Sequence, residues 1–161
     1  MKLAFKPLPE GMTMKNPAVM IATGFGSGRM YPAPGTWGTL AAWVIGFVMT
    51  KHVLAVAFVI ACVAGWWAAK KFEEQSQSHD NAMIVIDEWA GVWLAMLCAT
   101  FWDQSVLAFV LFRVFDIWKP GPIRWIDEKV GGAWGVMLDD IVAGLFAGII
   151  VYGYGLWITW S

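Results

Sequence analysis

Two pairs of adjacent carboxylates, Asp87-Glu88 and Asp139-Asp140, each stand at the head of a long apolar run, and a charged ladder of Arg113, Asp116 and Lys119 closes another. Like charges side by side repel unless a cation sits among them. The pairs therefore point to an oxygen-ligand site suited to Mg²⁺, which takes one or two carboxylates together with waters and phosphate oxygens. A carboxylate at a helix N-terminus also complements the macrodipole, worth about 0.3–1 kcal/mol, and each acid taken singly admits that simpler reading. Arg113, Asp116 and Lys119 are three apart and share one helical face, with Pro120 and Pro122 stopping the helix. Arginine's planar fork suits phosphate oxygens and lysine adds a second positive charge, although an interfacial ladder of ion pairs would use the same residues. Arg124 and Asp127 continue the mixture.

Absences narrow the chemistry. The chain has no Cys-x5-Arg, and its two histidines, His52 and His79, fall in separate turns. What remains is metal-assisted hydrolysis by carboxylates, with a bound ion polarising a phosphoryl group and lowering the pKa of a water. Gly24-Phe25-Gly26-Ser27-Gly28 and Pro34-Gly35-Thr36 precede the first apolar helix, where Thr36 is a plausible N-cap. These glycines could bring backbone N–H groups onto a phosphate, but taken alone they read as a tight turn sooner than a ligand loop, and they match neither a P-loop nor a dinucleotide fingerprint.

The elements that position these groups are built for a bilayer. Hydrophobic residues make up 59% of the 161 and charged ones 14%, against about 25% charge in ordinary soluble domains. One domain over 1–161 is expected, with a polar surface arm over 1–16. The apolar runs predict an all-α bundle of about five membrane helices, near 37–51, 53–71, 86–102, 105–119 and 137–160. Asp87, Gly91, Ala95 and Ala99 recur every four residues, as do Asp140, Gly144 and Gly148, with Asp139, Ala143 and Ala147 alongside. Small residues at that spacing let membrane helices approach closely, so both acid pairs top faces turned into the bundle. Five crossings put ten of the eleven basic residues on the side of Lys2 and the N-terminal arm, leaving Lys51 opposite. That bias marks the cluster side as cytoplasmic. A net charge of -1 argues against nucleic acid, and Cys62 and Cys98 lie in apolar runs as free thiols.

Five blocks carry a family resemblance: Gly24 to Gly28, Pro34-Gly-Thr-Trp-Gly38, Ile86-Asp-Glu-Trp-Ala-Gly91, Phe112-Arg-Val-Phe-Asp-Ile-Trp-Lys-Pro120 and Gly135-Val-Met-Leu-Asp-Asp-Ile-Val-Ala-Gly144. In order and spacing they resemble phosphatidylglycerophosphatase A, from about residue 17 to the C-terminus. The resemblance implies an enzyme of the bacterial cytoplasmic membrane that uses Mg²⁺ to remove the terminal phosphate of the phospholipid phosphatidylglycerophosphate. It also raises the glycine-rich block, with Ser27, and Thr36 to parts of the substrate site. Asp87, Glu88, Asp139 and Asp140 are then expected to hold the metal, with one of them or Asp116 accepting a proton from water. Arg113, Lys119 and Arg124 are expected to bind the phosphoryl oxygens. Two other classes use similar residues. A transporter would spread its acids through the membrane depth, and a lipid phosphotransferase would show a denser Asp-Gly-x2-Ala-Arg type motif.

Overall fold

The computed structural model describes residues 4–78 and 81–160, so Lys2 and His79 lie outside the described residues. Among these residues the chain is helical apart from a two-residue antiparallel pair, β1 (Ala4–Phe5) with β2 (Met30–Tyr31). The helices are α1 (Pro17–Ala22), α2 (Pro34–Phe47), α3 (Lys51–Ser76), α4 (Ile86–Leu97), α5 (Trp102–Trp118), α6 (Pro122–Lys129) and α7 (Gly132–Trp160). A short 3-10 turn, Ser27–Arg29, precedes β2.

The helix ends follow local chemistry. Asn16 caps α1 by accepting from the Ala18 N–H at 3.0 Å, and Thr50 caps α3 by accepting from the Val53 N–H at 3.4 Å. Pro34 and Pro122 sit at the starts of α2 and α6, where a missing N–H costs nothing. Lys119 ends α5 in the left-handed region, at φ 45°, and turns the chain into α6.

Each of the five segments expected to be helical contains a helix, α2 to α5 and α7, but one boundary changes the chemistry. The fifth begins at Gly132, so Asp139 and Asp140 lie well inside α7. Helix-dipole complementation therefore does not explain this pair. Glycine has low helix propensity, so Gly132 and Gly135 give the first turns of α7 little intrinsic support. Packing overrides that preference, because a Cβ on Gly135 would collide with the Val130 carbonyl oxygen. By length and composition two helices, α3 and α7, can cross a membrane. Both show apolar side chains outward, among them Val56, Val59 and Val63 on α3 and Ile149 and Ile150 on α7.

α4 is the axis of the bundle, with nine of its twelve residues buried. α2 is fixed beside it by the Trp93 indole, which donates to the Ala42 carbonyl at 2.8 Å, and beside α5 by Trp43, which donates to the Ser105 carbonyl at 2.9 Å. The small-residue stripes of α4 and α7 meet as their spacing predicts. A Cβ on Gly91 would lie 2.6 Å from the Asp140 carbonyl oxygen, and one on Gly144 would lie 3.0 Å from the Gly91 Cα. This backbone-to-backbone approach brings Asp87 and Asp140 to the same end of the bundle.

Candidate active site

At that end a cavity of about 540 Å³ opens between the helices. Its polar lining comes from α3 (Glu73), α4 (Asp87, Glu88), α5 (Arg113, Asp116), the α5 cap (Lys119), α6 (Asp127) and α7 (Asp139, Asp140), while Pro34 and Gly35 of α2 form one wall. Seven carboxylates thus face two cationic side chains, a formal excess of five negative charges. Asp140 is 3% exposed and Asp139 6%.

Two ion-pair knots organise the lining. The Arg113 Nη1 donates to Glu88 Oε1 at 3.2 Å, to Asp116 at shorter range, and to the Thr39 hydroxyl at 3.5 Å, while Nη2 donates to the Thr36 hydroxyl at 3.4 Å. Gly35 makes this knot possible, because a Cβ there would collide with Glu88 Oε1 and stand 3.3 Å from Arg113 Nη1. The second knot is Lys119, whose ammonium donates to Asp139 at 2.7 Å and to Asp127 at 2.5 Å, tying α5, α6 and α7 together. Burial alone would lower the Lys119 pKa, but the hydrogen bonds to Asp127 and Asp139 and their charges raise it above the ordinary lysine value. Lys119 therefore stays cationic at neutral pH. Within each acid pair the geometry repeats. Asp87 Oδ1 accepts from the Glu88 N–H and Asp139 Oδ1 from the Asp140 N–H, both at 3.0 Å.

The cavity gathers Asp87, Glu88, Arg113, Asp116, Lys119, Asp139 and Asp140 from the residues expected on sequence grounds. Thr36 reaches it indirectly, through its bond to Arg113. Ser27 does not line the cavity: its hydroxyl donates to the Gly24 carbonyl at 2.8 Å. In the glycine-rich block Gly24 and Gly28 leave room for Val85, as does Gly38 of α2. Arg124 is exposed on α6 and is also absent from the lining. Three contributors escaped the sequence reading of the site. Asp127 was seen only as part of a charge run, Glu73 lies half-buried within the polar last turns of α3, and Thr39 had its signal in lying three residues after Thr36 on one helical face.

The donor set fits a hard divalent cation. It is all oxygen, strongly anionic, and leaves Glu88 Oε2 buried with no hydrogen-bond partner, as is Arg113 Nε. Among the described residues no group of three or more such carboxylate side chains is placed to hold a metal ion. Mg²⁺ binds through one or two carboxylates with waters and phosphate oxygens, so it would need no larger group.

Residues 20–154 match the family model of phosphatidylglycerophosphatase A. A Haemophilus influenzae protein named phosphatidylglycerophosphatase A is 38% identical over 152 residues, covering 91% of this chain and 93% of its own. The Escherichia coli K12 protein of the same name is 36% identical over 149 residues, covering 89% and 87%. A Bacteroides thetaiotaomicron protein named as a candidate phosphatidylinositol-3-phosphatase is 39% identical over 153 residues, covering 86% and 95%. No solved structure matches the chain.

Proposed function

The chain belongs to the phosphatidylglycerophosphatase A family, a family of phosphatases, and on that premise we propose that it hydrolyses the terminal phosphomonoester of phosphatidylglycerophosphate to phosphatidylglycerol and inorganic phosphate. The observation that carries this reading is the seven-to-two excess of carboxylates over cations in one cavity at a bundle end. A phosphomonoester brings further negative charge into that cavity, so the site requires cations beyond Arg113 and Lys119. Asp87, Glu88, Asp139 and Asp140 are the residues to hold Mg²⁺ or its waters. The chemistry the ion supplies when bound is charge neutralisation and a lowered water pKa.

The chain's own groups then have separable tasks. Lys119 presents a fixed positive charge to the phosphoryl oxygens and stabilises charge that develops in the transition state. Arg113 holds Glu88 and Asp116 in place and lends its field to the same oxygens. One carboxylate of the set accepts a proton as a water oxygen attacks phosphorus in line. The bond from phosphorus to the glycerol oxygen breaks, and that oxygen leaves with a proton as the lipid alcohol.

The supporting context is a membrane. Five helices, α2 to α5 and α7, cross or enter the bilayer, and the cavity faces the cytoplasm. Lys70, Lys71, Arg113, Lys119, Arg124 and Lys129 all belong to helix ends or turns on the cavity side, which accords with the positive-inside bias. A thiol reagent unable to cross the bilayer should reach position 51 and not position 124.

The test is phosphate release by purified protein from phosphatidylglycerophosphate and, separately, from phosphatidylinositol 3-phosphate, with Mg²⁺ and after chelation. We expect Mg²⁺-dependent release with the first lipid preferred. A preference for the inositol lipid would move the assignment toward the Bacteroides relative, and no release from either would overturn it.

A further inference from the structure

We propose that the outer groove between α2 and α5 is the subsite for an acyl chain of the lipid substrate, an inference that rests on the lipid phosphatase reading. Val110, Arg113, Val114 and Ile117 stand at i, i+3, i+4 and i+7, so one stripe of α5 carries them all. Val110, Val114 and Ile117 are exposed, whereas the Arg113 side chain is only 14% exposed and turns inward to Glu88 and Asp116. Beside this stripe lies a groove of about 490 Å³, with Phe109 toward one end and Thr36 and Arg113 as its polar lining. Phe109 is held in place by the Trp43 ring, 6.1 Å away between centroids.

Continuity decides the occupant. Arg113 and Ile117 line both the groove and the carboxylate cavity. A molecule spanning the two meets cations and carboxylates at one end and, over the roughly 12 Å of helix from residue 117 to 109, a lining that is apolar except where Arg113 turns inward and Thr36 faces it. That is the polarity sequence of a phospholipid, charged at the head and hydrocarbon beyond. The other openings lack one half of this match. The small cavity beside Cys98 and Tyr152 is apolar but shares no lining residue with the carboxylate cavity. The opening around Lys70 and Glu74 does share residues with it, but Lys70, Glu73, Glu74, Gln77 and Ser78 interrupt its Trp66 and Trp134 walls, so no continuous apolar stripe leads away from the carboxylates.

The experiment uses phosphatidylglycerophosphate with a diazirine at the end of one acyl chain, incorporated with the full-length protein in phosphatidylcholine vesicles containing Mg²⁺. Samples are flash-frozen before illumination, and labelled residues are mapped. A phosphatidylcholine carrying the same diazirine reports general lipid contact. We expect the phosphomonoester probe, held by its headgroup at the carboxylate cavity, to favour positions 110 and 114 over Val59 on the outer face of α3 by about tenfold relative to the phosphatidylcholine probe. Excess unlabelled phosphatidylglycerophosphate should remove the enrichment. Val114→Trp should remove it too, and should lower about tenfold the ratio of kcat/KM for the diacyl substrate to that for its deacylated headgroup, whereas Val59→Trp should leave that ratio intact. Both positions are exposed, so neither change threatens the core. Equal labelling of the two faces by protein that does release phosphate overturns the groove alone. Failure to release phosphate from any lipid phosphomonoester overturns the activity on which it rests.

Discussion

Both ends of α4 meet charged side chains, and they use them differently. At the C-terminal end the Lys51 ammonium donates to the carbonyls of Met96, Leu97 and Ala99. Its three donors meet three acceptors at a helix terminus that carries negative partial charge, so the end is closed and matched. At the N-terminal end seven carboxylates share two cations, and Glu88 Oε2 and Arg113 Nε find no partner. A structural cap satisfies its groups, because a buried polar atom left unmade costs about 1–3 kcal/mol. The unmatched polarity at the other end has no such structural account, and it is what a ligand of opposite charge would satisfy.

The sharpest way to break this contrast is to remove one negative charge at constant shape. Asp140→Asn and Asp87→Asn should each lower turnover by roughly 10²–10³-fold, the scale for losing one electrostatic partner in a transition state. They should also weaken the dependence on Mg²⁺ while the protein still inserts and folds. Asp103→Asn, in the first turn of α5 away from the cavity, is the matched control and should stay within about 0.5 kcal/mol in stability with turnover unchanged. Near-normal turnover in a folded Asp140→Asn variant would sink its role in the metal site.

A smaller effect is expected from a single methyl group. A Cβ on Gly35 strikes Glu88 Oε1, the far end of a flexible side chain, so the helix survives and the carboxylate moves. Gly35→Ala should therefore cost about tenfold to a hundredfold in turnover, as misplacement by an ångström does. Thermal stability should hold or rise, since alanine is favoured over glycine in a helix by up to about 1 kcal/mol. Loss of stability together with activity would instead make Gly35 a packing residue, like Gly38 against Val85.

How much of this was legible beforehand depended on the range of the interaction. The four-residue stripes of α4 and α7 were readable because helical periodicity fixes which residues share a face, and their contact at Gly91 and Gly144 places both acid pairs together. The Arg113–Asp116 bond, three residues apart, was readable for the same reason. The segment after Lys119 was not. Left-handed conformations at Lys119 and at Gly121 decide that Asp127 turns back to the ammonium while Arg124 points away. No periodic pattern encodes that choice. The glycine-rich block was ambiguous because glycine is used alike for binding a phosphate and for admitting a neighbour, and only the packed structure reveals Val85 as a neighbour of Gly24 and Gly28. The number of bilayer crossings stayed open as well, because α2, α4 and α5 are shorter than the two helices long enough to span alone.

The least effect on catalysis should come from the matched end. Lys51→Cys, made with Cys62 and Cys98 replaced by Ser, deletes the ammonium that caps α4 and introduces one reportable thiol. The cap's loss should cost about 1–3 kcal/mol in unfolding measured in detergent micelles, the range for hydrogen bonds to a charged group. Turnover of the folded fraction should remain close to that of the background protein, because α4 spans the distance between this end and the carboxylates. The same thiol should react with an impermeant maleimide added outside intact cells. A large fall in turnover at unchanged stability would mean that the two ends are coupled through α4, and protection of the thiol from outside would place Lys51 on the cavity's side of the membrane. Either result would remove the asymmetry between a closed structural end and an open chemical one.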